Sequence, residues 1–155
     1  MRMIFEYAQK RVVLVSPWVI LERLQALGFM KLMAQAVAKG VEVRVYTDYH
    51  FNTKVNNTFN AQKQRAFDNC CERLAEMGVL IHIVDHVHSK LLLVDEEHLA
   101  VGSFNWFSAS REARFKNMET TMVYTGKLEK EIAVQIKQLE ARTLKVIELE
   151  SEPAA

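Results

Sequence analysis

The sequence predicts an α/β domain: a mixed, mainly parallel β-sheet flanked by helices on both faces. Two segments carry the expectation. Val12-Val13-Leu14-Val15 is a continuous apolar run rich in β-branched residues, the pattern of a strand buried on both faces. Val41-Glu42-Val43-Arg44-Val45-Tyr46 alternates apolar and polar, a second strand ending at Asp48. A helix-length stretch separates them, and strand–helix–strand with so long a crossover argues for parallel pairing in a layered domain. The chain has 155 residues, 50% of them apolar, enough for one core and too few for two ordinary domains. One domain over residues 1–150 with a frayed tail at 151–155 is expected, either as it stands or as part of a longer chain.

The elements follow in order. Residues 4–10 read as the end of an amphipathic helix, and Pro17 closes the first strand. Residues 20–39 predict one helix, with apolar side chains at Leu24, Leu27, Met30, Leu32, Met33, Ala36 and Val37 and Gly40 as its cap. Residues 49–60 are polar, with Asn52, Asn56, Asn57 and Asn60, and read as an ordered or mobile surface loop. A helix over 61–77 closes at Gly78, and strands follow at 79–84 and 90–94. Asp95-Glu96-Glu97 turns the chain back into an antiparallel strand at 99–101. A further strand is expected at 118–124. Residues 127–149 carry Leu128, Ile132, Ile136, Leu139 and Val146 at helical spacing and predict a last helix packed on the sheet.

Composition removes several classes of function. Charged residues interrupt every apolar stretch well short of the roughly 20 residues a membrane span requires. Residues 1–11 lack the apolar core of a secretory leader, so a cytoplasmic protein is expected. Cys70 and Cys71 are helical neighbours whose side chains diverge, which suits core packing in a reducing compartment better than a bridge. A net charge of +1 offers no global attraction for nucleic acid, so any polyanion must be held by a local patch.

The chemistry gathers between residues 88 and 105. His88, Lys90, Asp95, Gly102, Ser103 and Asn105 stand in the pattern H-x-K-x4-D-x6-G-S-x-N. His88 and Lys90 lie two apart on an extended segment and share a face. The return strand brings the Ser103 hydroxyl and the Asn105 carboxamide to the same end of the sheet. A phosphodiester is already anionic, so attack on it needs a nucleophile together with fixed cationic and donor groups around the nonbridging oxygens. This set supplies both. His86 and His88 form an H-x-H pair, but no further His/Asp set stands at ligand spacing. No metal and no cofactor are expected, and His50, His82 and His98 read as ordinary surface or boundary residues.

This pattern resembles the phospholipase D superfamily motif in every defined position, and Ser16-Pro17, Gly40-Val41-Glu42-Val43 and Asn117-x-Glu119 extend the resemblance over most of the chain. It is closest in type to the small single-motif bacterial endonucleases. The resemblance implies a phospholipase D-like α/β/α sandwich and a metal-independent phosphodiesterase. His88 would be the nucleophile that forms a phosphohistidine. Lys90, Ser103 and Asn105 would bind the phosphoryl oxygens, and Glu119 would accept a hydrogen bond from the far nitrogen of His88. Asp95, at the turn, would face away in a structural role. The family's catalytic unit needs two motifs and this chain has one, which implies a homodimer with a composite site or a piece of a longer chain.

Nuclease action on DNA or RNA is the leading expectation, from the small size, the single motif and nearby basic residues. Lys54, Lys63 and Arg65 flank the polar loop, and Arg111, Arg114 and Lys116 follow the motif. Of these, Lys54, Arg111 and Arg114 are the candidate backbone contacts, with Trp106 as a stacking platform. Phe104 and Phe107 fit the core better. The rivals are a lipid phosphodiesterase or phosphatidyl transferase, and a noncatalytic phosphate-binding or dimerisation module.

Overall fold

A computed structural model of the chain describes residues 5–103, 105, 107 and 119–149. In chain order its elements are β1 (Arg11–Val15), α1 (Leu21–Ala26), α2 (Phe29–Ala38), β2 (Glu42–Asp48), α3 (Tyr49–Thr53), β3 (Lys54–Val55), β4 (Thr58–Phe59), α4 (Ala61–Ala75), β5 (Leu80–Val84), β6 (Leu91–Val94), β7 (His98–Gly102), β8 (Thr121–Thr125), α5 (Glu129–Glu140) and β9 (Thr143–Ile147). Seven strands form one sheet in the order β8-β7-β6-β1-β2-β5-β9. The sheet is mixed: parallel pairing is confined to β1–β2 and β2–β5, and the ladders toward both edges are antiparallel.

The apolar run of β1 sits at the centre, and its side chains divide between two cores. Val12 and Leu14 pack with Leu24, Met33, Phe67 and Leu74 of α1, α2 and α4. Val13 and Val15 pack with Ile132, Ile136 and Leu139 of α5 on the opposite face. A strand buried on both faces needs apolar side chains in both directions, which is why its sequence does not alternate. Cys70 and Cys71 are free and buried on α4. Burial pushes the Cys70 thiol up to about 12, and the Cys71 thiol also upward, so neither is a poised nucleophile.

Three stretches differ from expectation. The helix over 20–39 is two helices, because Leu27 caps α1 and Gly28 adopts φ +77°, a left-handed turn that restarts the chain as α2. The stretch 49–60, expected as loop, holds regular elements: α3 is followed by the small β3–β4 hairpin, whose turn places Asn56 and Asn57 at φ 47° and 63°. Asparagine tolerates that region, and two such residues in succession suit a tight hairpin. The helix over 127–149 ends at Glu140, and residues 143–147 pair with β5 as the edge strand β9. Its β-branched Thr143, Val146 and Ile147 suit an edge ladder, and the fifth-strand edge is thereby covered. Of the strand expected at 118–124, Thr121–Thr125 is β8 and Met118 lies outside the described residues.

The topology gathers one end of the sheet. β1 and β6 pair with Val15 opposite Leu91, β6 and β7 with Leu91 opposite Val101, and β7 and β8 with Gly102 opposite Thr121. The carboxyl ends of β1, β2, β5 and β7 therefore meet the amino ends of β6 and β8. Of the described motif residues, His88, Lys90, Ser103, Asn105 and Glu119 fall at that end and Asp95 at the other.

Candidate active site

A buried polar network fixes the walls of this end. Asp48 is 1% exposed; its Oδ1 accepts from Phe51 N at 2.9 Å, capping α3, and its Oδ2 accepts from Val87 N at 3.0 Å. One carboxylate thus ties α3 to the residue before His88. Asn52, also buried, accepts from Val19 N at 3.0 Å and donates to the Pro17 and Asp48 carbonyls at 2.9 and 2.6 Å. Buried polar groups with every partner supplied hold a single geometry. Here that geometry brings the Trp18 and Phe51 rings to within 5.8 and 5.6 Å of the His88 ring, centre to centre, and 4.6 Å from each other.

His88, Lys90, Ser103, Asn105 and Glu119 line one cleft of about 550 Å³, together with Ser89 and Gly102. His88 is exposed, whereas Lys90 is only 7% exposed. The Lys90 ammonium donates to the His88 carbonyl at 2.7 Å and lies 3.1 and 3.2 Å from the two ring nitrogens. For either ring contact to be a hydrogen bond, that nitrogen must turn its lone pair to the ammonium. Burial draws the Lys90 amine below its ordinary range, with the Glu119 carboxylate opposing. Asn105 lines the same cleft with its Oδ1 buried and without a partner; the donor it can offer an anionic oxygen is its carboxamide N–H.

Ser103 and Glu119 face each other across the β7–β8 junction. The Ser103 hydroxyl donates to Glu119 Oε2 and accepts from Thr120 N at 3.2 Å. Glu119 is therefore bonded to Ser103, and the expected His88–Glu119 bond is not formed: the serine hydroxyl is the nearer donor, while the His88 ring faces Lys90. Gly102 is required by close approach, since a Cβ there would lie 2.7 Å from Thr121 Oγ1 and 2.9 Å from the Thr120 carbonyl.

Asp95 stands at the far end of β6. Its Oδ1 accepts from Lys10 N and Arg11 N at 2.8 and 2.9 Å and its Oδ2 from Gln9 N at 2.9 Å, so it pins the chain entering β1. Burial tends to raise its pKa, but the three backbone donors and Lys10 outweigh it and hold the carboxyl below its usual value. Lys54 is half-buried on β3, outside the cleft lining. The Lys63 ammonium is occupied by the Phe51 and Lys54 carbonyls at 3.2 and 3.0 Å. Trp106, Phe104, Arg111, Arg114, Lys116 and Asn117 lie outside the described residues.

Two histidine readings change. His82 lies inside, stacked on Tyr46 at 4.3 Å, with neither ring nitrogen partnered; burial lowers its pKa. His50 is drawn to Asp85 and His86. Trp18, Asp48 and Phe51 are site residues the sequence reading passed over. The available signal was position: Trp18 follows Ser16-Pro17 at the end of the first strand, and Asp48 ends the second.

A mixed sheet with this histidine–lysine–serine–asparagine cleft at one end defines a phospholipase D-type domain. Residues 2–143 match the family described as "Cardiolipin synthase, PLD-like domain", and the chain belongs to that family, whose superfamily acts on phosphodiesters. No curated protein sequence matches the chain. Among solved structures it is similar to Nuc, a phospholipase D family member from Salmonella typhimurium. The TM-score is 0.66 at 20% identity, over 91% of this chain and 82% of that one. TrmBL2, an archaeal chromatin protein with a novel mode of DNA binding, superposes with TM-score 0.53 at 18% identity, over 90% of this chain and 45% of that one. Phosphatidylserine synthase from Haemophilus influenzae does so with TM-score 0.64 at 15% identity, over 94% and 36%. Among the described residues no helix is long and apolar enough to cross a membrane.

Proposed function

We propose that the chain is a metal-independent nuclease that cleaves DNA or RNA phosphodiesters through a phosphohistidine on His88, in a homodimer with one composite site. The observation that carries the phosphodiester reading is the shared cleft, in which the buried Lys90 ammonium, the Ser103 hydroxyl, the Asn105 carboxamide and the exposed His88 ring line one space. Lys90, Ser103 and Asn105 hold the nonbridging oxygens. A His88 ring nitrogen attacks phosphorus, the P–O bond to the leaving oxygen breaks, and that oxygen takes a proton. Water then attacks the phosphohistidine, releasing the product and restoring His88.

The leaving oxygen needs its acid opposite the attacking nitrogen. His86 is two residues from His88, but it sits in the bend after β5 at φ 53° and is grouped with Asp85 and His50. A two-fold axis beside the cleft puts His88 of the partner subunit across the phosphate. Val101, Met122, Val123 and Tyr124 support this assembly: they are apolar, exposed, and on the β7–β8 edge that borders the cleft. Unpaired apolar edge strands are rarely left open.

Nucleic acid is favoured by the Trp18–Phe51 pair beside His88, rings on which a base can stack. A second cleft of about 530 Å³ shares His88 and Ser89 with the first and is lined by Arg142, a basic side chain able to follow a polyanion. The likeness in length to Nuc and the DNA binding of TrmBL2 agree. The lipid reading, phospholipase D or phosphatidyl transferase, is favoured by the family's description and by the phosphatidylserine synthase likeness. Purified protein assayed with excess chelator on single- and double-stranded DNA, RNA and phosphatidylcholine vesicles separates them. Cleavage of nucleic acid alone is expected. Headgroup release without nucleic-acid cleavage transfers the assignment to lipid, and inactivity on all four leaves a noncatalytic binding module.

A further inference from the structure

The fold assembles a group of metal-ligating side chains that no sequence spacing announces. The ligand atoms of His50, Asp85 and His86 all lie within 4.8 Å of one another. Asp85 Oδ1 is 3.7 Å from His50 Nε2 and 3.6 Å from His86 Nε2, and the two imidazoles face each other at 5.6 Å with 26° between their planes. We propose that these three residues form a transition-metal site of the zinc class, outside the phosphate cleft, that locks α3 to the segment carrying His88.

Two imidazoles and one carboxylate are borderline ligands that select Zn²⁺, Co²⁺, Ni²⁺ or Cu²⁺ over Mg²⁺ or Ca²⁺. Zinc at about 2.0–2.2 Å from each ligand atom brings those atoms to roughly 3.3 Å apart. The two Asp85 gaps are a few tenths of an ångström from that, and the exposed His86 ring has room to turn toward His50. Water completes the coordination.

The frame around the three ligands is built. His50 rides on α3 and Asp85 and His86 leave β5, and the buried Asp48 carboxylate already clamps these segments together through Phe51 N and Val87 N. Asp85 N donates to the Arg142 carbonyl at 3.1 Å. His86 is held at φ 53°, a conformation rarely adopted by a residue with a side chain and kept only where surroundings enforce it. His50 Nδ1, the ring nitrogen not turned to Asp85, is buried without a hydrogen-bond partner. Metal-bound histidines commonly donate their second ring nitrogen to an acceptor that strengthens the site. Its absence for His50 predicts modest affinity and reversible occupancy, suited to tuning the site rather than to folding the chain.

Occupancy would stiffen two walls at once. His50 adjoins Phe51, which touches the His88 ring, and His86 is two residues from His88. The chemistry itself runs without the ion.

The test is titration of chelator-stripped, full-length protein with Zn²⁺ alone, read by calorimetry and thermal melting. About one ion per chain and a rise in Tm of about 2–4 °C or more at saturation are expected. Both responses should disappear in His50→Ala and in Asp85→Asn and persist in His88→Asn. No binding by the wild type, or wild-type binding in both ligand variants, overturns the site. If a variant fails to fold, X-ray absorption of the zinc-loaded wild type decides: two imidazoles and one carboxylate are expected, and any other ligand set overturns it. Chelated wild type and His50→Ala should retain equal activity. If wild-type activity vanishes in chelator and is already absent in folded His50→Ala, the ion is catalytic and the stiffening role is wrong.

Discussion

Asp95 belongs to the motif by sequence and to the scaffold by structure, and replacing it separates the two. Asp95→Ala removes a carboxylate that accepts three backbone N–H bonds, from Gln9, Lys10 and Arg11. Hydrogen bonds to a charged acceptor contribute about 1.5–3 kcal/mol each when shielded and less when water can replace them. The bonds to Gln9 and Lys10 are exposed and that to Arg11 is part-buried, so a net loss of about 2–4 kcal/mol is expected, or about 5–15 °C in Tm for a domain of this size. Asp95→Asn keeps an acceptor and should lose less. Because the folded-state pKa is depressed, this stabilisation is fully present above the unfolded value near about 3.9 and is lost as pH falls through the folded one. Wild type and variant should therefore differ in urea midpoint at pH 7 and converge in acid. Asp95 is also five residues from Lys90, about 16 Å along extended chain, so turnover of the folded variant should be unchanged. A folded Asp95→Ala protein with turnover lowered tenfold or more would place the carboxylate in the chemistry and refute this reasoning.

The other predictions concern the cleft. His88→Asn should lose on the order of 10⁴-fold or more in turnover while folding normally, the scale of deleting a covalent catalyst; near-normal turnover free of wild-type contamination excludes His88 as nucleophile. A purified heterodimer of one His88→Asn chain and one wild-type chain should be inactive, and full activity per dimer, or an active monomer by light scattering during turnover, sinks the composite site. Gly102→Ala drives a methyl group against the Thr120 carbonyl and Thr121. It should cost about 1–3 kcal/mol and, by shifting Ser103 against Glu119, lower kcat/KM by about tenfold or more; a melting curve that does not move shows that the strands yield without strain.

How much of this protein can be read from its sequence depends on the range of the interaction concerned. The β1 run, the alternation of β2 and the cleft motif are local patterns, and each position within them is constrained by its immediate chain neighbours. The spacing of His88, Lys90, Ser103 and Asn105 needs only one strand pair, β6 with β7, to bring the groups together, so it was legible. Residues 127–149 were misread because Val146 satisfies a helical and a strand period alike. The open edge of β5, a partner distant in sequence, decided between them. The 49–60 stretch looked like a loop because its order comes from Asp48 and Asn52 bonds to the 17–19 turn and to Val87. The same long-range bonds set Trp18 and Phe51 beside His88 and carry His50 to Asp85 and His86. By itself, the sequence determined the fold class and the His88, Lys90, Ser103 and Asn105 side chains that line the cleft, because those rest on periodicity and on one hairpin. Only the tertiary structure decided which residue Glu119 bonds, what walls the cleft and where the second histidine cluster forms, because each depends on segments joined by buried hydrogen bonds across the end of the sheet.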